Sequence, residues 1–194
     1  MTDINALKAV NAQRWKAMHT NPSLSVALDA VAKRLVDSAA KAHYVQVGFD
    51  TTVPWYVIAV IHERESSQSW TSSLAQGDPW NKESIHKPIG IGPFQSWADA
   101  AEYALKHCAP FAANNRDWTI GGTLTLLEEY NGLGYAMHNM PSPYIWASTD
   151  QYKTGKFIAD GNFDPDAIDH QLGCAALLSR MVLADSTIHL GLTA

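Results

Sequence analysis

The chain has 194 residues, 46% of them hydrophobic, 17% charged and 10% aromatic, with seven Trp and a formal net charge of −5. That length predicts one domain with an ample core, and the composition makes disorder, collagen and coiled coil poor readings. An acidic chain without a basic tract offers no footprint for duplex nucleic acid and no polybasic helix for a membrane surface.

In chain order, Ile4, Leu7, Trp15 and Met18 predict a first amphipathic helix over 4–18, interrupted by Asn11. A second is expected from Ser25 to His43, with Leu28, Val31, Leu35 and Ala39 on one face. Gly48 to Thr52 reads as a turn, with Thr52 as N-cap and Pro54 in the opening turn of a third helix over 53–67. Between Ser67 and Gln95 the chain is polar and rich in Gly and Pro, which predicts an irregular segment with room for a small hairpin. Ser96 can cap a helix from Trp97 to Cys108, and another should run from Trp118 to Tyr130 and stop at Gly132. Residues 133–163 read as a long aromatic loop, and Asp164-Pro165 as the start of a last helix ending near Leu183. The expected class is mainly α.

Cys108 and Cys174 lie in no CxxC pattern and are read as two buried thiols, a long-range disulfide being the alternative. Met1 to Asn5 carry no basic stretch followed by an apolar one, so the chain is expected to be made in the cytoplasm without a signal peptide. The run Val57-Ile58-Ala59-Val60-Ile61 is too short to span a bilayer, and no stable membrane insertion is expected.

One carboxylate stands out. At roughly 100° per residue, Pro54, Val57, Ile58 and Ile61 form an apolar stripe, and Glu65 projects onto its middle. Glu63 falls about 200° away, on the polar side. A carboxylate at the end of a core-facing stripe must be neutralised, paired or aimed into a cleft. In a semi-apolar cleft it suits general-acid chemistry near neutral pH. The alternative is that the helix frays before Glu65 and leaves it solvated.

The stretch Ile61-His62-Glu63-Arg64-Glu65-Ser66-Ser67 contains the Glu-Ser pair that closes the catalytic helix of goose-type lysozymes and soluble lytic transglycosylases. Gly77-Asp78 stands where the goose-type enzymes place a second acid. Gly90-Ile91-Gly92-Pro93-Phe94-Gln95 resembles their cleft-lining Gly-Phe-Gly-Leu-Met-Gln segment, and Glu129-Tyr130-Asn131-Gly132-Leu133-Gly134 their Ala-Tyr-Asn-Ala-Gly motif. A phage and bacterial lysozyme-like endolysin family is more similar still, through His62 to Ser66, Gly77-Asp78-Pro79, Tyr130-Asn131-Gly132, Ser142 to Trp146 and Lys156 to Gly161. The likeness covers residues 53–173, and no motif matches the first fifty residues.

The resemblance implies one lysozyme-like catalytic domain over 1–194, with residues 1–50 packed on it as N-terminal helices and a small irregular or β segment lining the cleft. It implies cleavage of the β-1,4 bond between N-acetylmuramic acid and N-acetylglucosamine in peptidoglycan strands, by a monomer without cofactor. Glu65 would donate the proton. Asp78 would position water for an inverting hydrolysis, or be an ordinary Gly-Asp-Pro turn residue. Ser66, Gln95, Tyr130 and Asn131 would bind sugar or orient Glu65, although a Tyr at a helix end is also a common core residue. Tyr144 and Trp146 would stack on sugar rings, unless their loop is packed on the core. Ser96 stands where goose-type enzymes have a further Asp, which leaves room for a lytic transglycosylase. A non-catalytic glycan-binding module is the reading from another class.

Other chemistries fail. His62-Glu63 opens like HExxH, but position 66 is Ser, and the His and Cys show no metal-ligand spacing. No GxSxG, GxxxxGK[ST] or dinucleotide fingerprint is present. An acidic enzyme gains little electrostatic steering toward an anionic envelope. The expected setting is therefore a phage endolysin that meets the wall from inside after holin-dependent release, or a secreted wall-degrading effector.

Overall fold

The structure is a computed structural model and describes residues 2–86, 88–159 and 161–191. Side-chain caps decide where four of its α-helices begin. Asp3 accepts the amides of Asn5 and Ala6 and starts α1 (Ile4–Ala17). A 3-10 turn, Pro22–Leu24, leads into α2 (Ser25–Leu35). Asp37 then takes the amides of Ala39 and Ala40 and opens α3 (Ser38–Thr51), so the single helix expected over Ser25 to His43 is two. α3 runs through the expected turn at Gly48, and Thr52, at φ 63°, ends it instead of capping α4 (Trp55–Ser66). Ser96 caps α5 (Trp97–His107) through the Asp99 amide. Thr119 caps α6 (Ile120–Asn131), which stops at Gly132 in a φ of 97° that L side chains rarely adopt.

Residues 133–163, expected as one loop, hold two single-turn helices, α7 (Gly134–Met137) and α8 (Pro143–Trp146), and a strand β1 (Lys156–Ala159). β1 pairs antiparallel with β2 (Asn162–Asp164), in the register Lys156 to Asp164 and Phe157 to Phe163. The last helix, α9 (Cys174–Ala184), begins well after Asp164. The Asp164 carboxylate instead closes a local turn on the amides of Asp166 and Ala167. With 53% helix and one two-stranded sheet among the described residues, the class is mainly α.

The chain divides into two compact units, Met1–Ala32 with Trp118–Ala194, and Lys33–Asp117. In the first, α1 lies against α6, and α8 against α6 and α9. The α1–α6 crossing is close at Gly121, where an added Cβ would sit 2.6 Å from the Lys8 carbonyl oxygen. Buried Asn11 donates across it to Thr125 Oγ1 (3.1 Å) and Glu128 Oε2 (3.2 Å).

In the second unit α3 packs on both α4 and α5. Every residue of α4 from Tyr56 to His62 is buried, so the expected one-sided stripe is in fact a helix apolar all round, at the centre of its unit. Each fully buried Val or Ile there contributes about 1.5–3 kcal/mol of transfer free energy. The segment between Ser67 and Gln95 is irregular, with a single antiparallel bridge between Ser72 and Pro79. The strands lie in the other unit, so of the expected irregular or β segment the irregular form is the one present among the described residues. Cys108 is half-buried and Cys174 buried, both as free thiols. No described helix is long and apolar enough to cross a membrane.

Candidate functional site

α4 does not fray before Glu65. It continues to Ser66, and two consecutive left-handed residues, Ser67 (φ 52°) and Gln68 (φ 60°), turn the chain back. Their amides donate to the carbonyls of Glu63 (2.8 Å) and His62 (3.2 Å), which closes the helix end. Glu65 is half-buried inside this closed turn. Glu63, on another face, pairs with Arg34 at 2.9 Å. Ser66 Oγ donates to the His62 carbonyl (3.1 Å) and accepts from the Ser69 amide (3.3 Å). Its hydroxyl therefore serves the turn.

Beneath the turn lies a polar chain that sequence reasoning missed. His62 Nε2 meets the Ser69 carbonyl at 2.9 Å, so that nitrogen carries the hydrogen and Nδ1 accepts from the Tyr44 hydroxyl at 3.0 Å. Gln68 Nε2 donates in turn to the Tyr44 oxygen (2.9 Å). The imidazole is fully buried, and burial pulls its pKa down to about 4, so it stays neutral. Trp70 and Trp97 pack around it, with ring centroids 4.8 and 4.7 Å away. One signal was available: His62 follows Ile58 by four residues, on the buried face of α4.

Gly77 lies against the end of α4, where an added Cβ would stand 3.6 Å from the Glu65 carbonyl oxygen. The next residue, Asp78, is 7% exposed. Its Oδ2 accepts the amides of Ile85 and His86, each at 2.9 Å, and its Oδ1 meets His86 Nδ1 at 2.7 Å. The His86 amide, then the His86 ring and the Ile85 amide, hold this carboxyl below its ordinary range. Ser84 ties the same loop, donating to the Pro88 carbonyl (2.7 Å) and accepting from the Ile91 amide (2.9 Å). A carboxylate with both oxygens on N–H donors is a weak base. Its bonds reach seven and eight residues along the chain, so the carboxylate clamps Ile85 and His86 against the Gly77 turn. Gln95 is exposed at the end of this segment, just before α5.

Glu65, Ser66, Asp78 and Gln95 thus share one unit, while Tyr130, Asn131 and Tyr144 belong to the other. Tyr130 is half-buried and Asn131 exposed at the end of α6. Tyr144 is 4% exposed and Trp146 fully buried. Because α8 is packed on α6 and α9, these rings fill the core and offer no face to a sugar, which corrects the stacking expectation. Asp160, within the Lys156 to Gly161 stretch, lies outside the described residues.

Two cavities are prominent. The larger, about 560 Å³ and lined by Leu7, Val10, Arg14, Met137 and Met140 among others, lies in the first unit and holds none of the expected site residues. The other, about 480 Å³, lies in the second unit among Arg34, Asp37, His43, Gln68 and Trp70. Among the described residues no group of three or more His, Cys, Asp or Glu could hold a metal ion. No protein-family model, curated protein or solved structure matches the chain.

Proposed function

We propose that this protein is a lysozyme-like glycosidase that cleaves the β-1,4 bond between N-acetylmuramic acid and N-acetylglucosamine in peptidoglycan. The observation that carries the reading is the placement of Glu65: half-buried, in a closed helix end, with the Gly77 segment against its backbone. A rigid turn holds the carboxyl in one position, which suits a group that must give a proton to the leaving glycosidic oxygen. Gln95, exposed on the same segment, supplies an amide for the sugar. The enzyme acts as a monomer, as an endolysin released to the wall or as a secreted effector.

The clamp role of Asp78 favours a second outcome at the same bond. Inverting hydrolysis needs a carboxylate free to activate water. Transglycosylation does not. There Glu65 protonates the departing O4 as the C1–O4 bond breaks, the 6-hydroxyl oxygen bonds to C1, and its proton returns to the Glu65 carboxylate.

Mass spectrometry of digested purified peptidoglycan separates the outcomes. Reducing muramic ends mean hydrolysis, 1,6-anhydro ends mean transglycosylation, and intact strands mean a binding module. Glu65→Gln should lower the rate by about 10²–10⁴-fold, the usual worth of a general acid, with unchanged melting temperature. A fully active, folded Glu65→Gln variant would overturn the reading.

A further inference from the structure

The 480 Å³ cavity of the second unit brings together side chains whose bonding capacity is only partly used. Arg34 donates Nη1 to the Ser67 carbonyl (3.1 Å) and Nη2 to Glu63 (2.9 Å). A guanidinium has five N–H groups, and this side chain is 44% exposed, so donors remain for a ligand. Asp37 caps α3 with Oδ1 alone, at 3.0 and 3.4 Å from the amides of Ala39 and Ala40, which leaves Oδ2. Exposed His43 lies 5.0 Å from Trp70 at a tilt of 49°, and neither of its ring nitrogens has a hydrogen-bond partner among the described residues. Trp70 is fixed from another side by Tyr44, stacked at 5.4 Å and 26°.

A guanidinium engaged on one side by Glu63, with donors left over, and a carboxylate with one oxygen left over face one cavity, so a simple anion would meet Asp37 and a simple cation would meet Arg34. A ligand carrying both charges satisfies both. The Trp70 and His43 rings offer apolar surface for the carbon skeleton between them, and the volume falls within the usual range for small-ligand sites, about 300–1,000 Å³. We propose that this cavity binds a zwitterion, the free amine and carboxylate of an amino acid or short peptide, with the carboxylate on Arg34 and the amine on Asp37.

On the glycosidase reading, on which this last step rests, the ligand is the peptide stem of peptidoglycan, whose diamino acid presents both groups. Arg34 also holds Glu63 and the Ser67 carbonyl, so the peptide is gripped at the same helix end that carries Glu65, on a different face.

The test is calorimetric titration of the full chain with L-Ala-γ-D-Glu-meso-diaminopimelate, against the same tripeptide with its amines acetylated. Asp37→Asn removes the charge and keeps the cap, since Asn caps helices as well as Asp. The unmodified chain should prefer the free-amine peptide by about two- to fivefold, the usual range for an exposed ion pair. Asp37→Asn should bind both peptides alike, and Glu65→Gln should keep the preference. No saturable binding at millimolar peptide, equal affinities for the unmodified chain, or a preference surviving Asp37→Asn would each overturn the proposal. Peptide preference without glycan cleavage would sink the glycosidase reading and leave the zwitterion site standing. Cleavage without peptide binding would do the reverse.

Discussion

Glu65 and Asp78 are both half-buried or buried acids, yet their surroundings assign them different work. Glu65 sits in a closed helix end, while Asp78 spends its oxygens on the Ile85 and His86 amides and the His86 ring. If Asp78 is a clamp, Asp78→Asn should weaken the loop and the chemistry together, because the amide replaces an acceptor with a donor facing N–H groups. Amide hydrogen exchange decides this. Faster exchange at Ile85 and His86, with a matching loss of lytic activity, is the expected result. Lost activity with both amides still protected would restore Asp78 as the water-activating base. The residue scale also marks what the sequence hid. Glu65 was legible because it breaks a periodic apolar pattern. His62 breaks the same pattern, but next to Glu63 it reads first as the opening of an incomplete HExxH motif.

Three helix starts and one helix stop lie close to where the sequence puts them, each at a local cap. Asp3, Ser96 and Thr119 start α1, α5 and α6, and Gly132 stops α6. Two of the misses share one physical origin, side-chain bonds that compete with a continuing pattern. Asp37 cuts a helical stretch in two, and Asp164 closes a turn instead of starting a helix. The zwitterion cavity was not legible, since Arg34, Asp37, His43 and Trp70 converge from α2, α3 and the turn after α4 through tertiary packing. Packing also gives the element-scale prediction. Gly121→Ala should stabilise α6 by about 1 kcal/mol on helix propensity alone. The Lys8 carbonyl stands only 2.6 Å from the new Cβ, so the crossing must open, and a net loss of about 1–3 kcal/mol is expected. Urea unfolding measures it, and a variant as stable as the parent would mean that α1 moves away without cost.

Across the whole chain, buried ionisable groups shape stability against pH, and they do not all act in one direction. His62 titrates near 4 when folded and near 6.5 when unfolded, chiefly through burial, with the Arg34 charge acting the same way and the Ser69 carbonyl opposing. Below pH 6.5 the unfolded chain takes up a proton that the folded chain refuses, so stability falls as pH drops from about 6.5 to about 4, by ~3 kcal/mol in all. Glu128 acts with the opposite sign. Burial raises its pKa, so its contribution is complete in acid and declines as pH rises through the raised value. Asp78 and Asp150 have lowered values, and Asp150 is held near 2, first by the His19 amide, so their contributions are lost only in stronger acid. Between pH 6.5 and 4.5 the fall should therefore belong to His62. Urea midpoints recorded at intervals across that window should decline for the parent, and for His62→Gln the decline should vanish or reverse, because the raised carboxyls of Glu128 and Glu129 then act unopposed. Parallel slopes would show that the imidazole takes up its proton without leaving the core, and the buried chain from Gln68 through Tyr44 to Ser69 would then have to be redrawn around a charged ring.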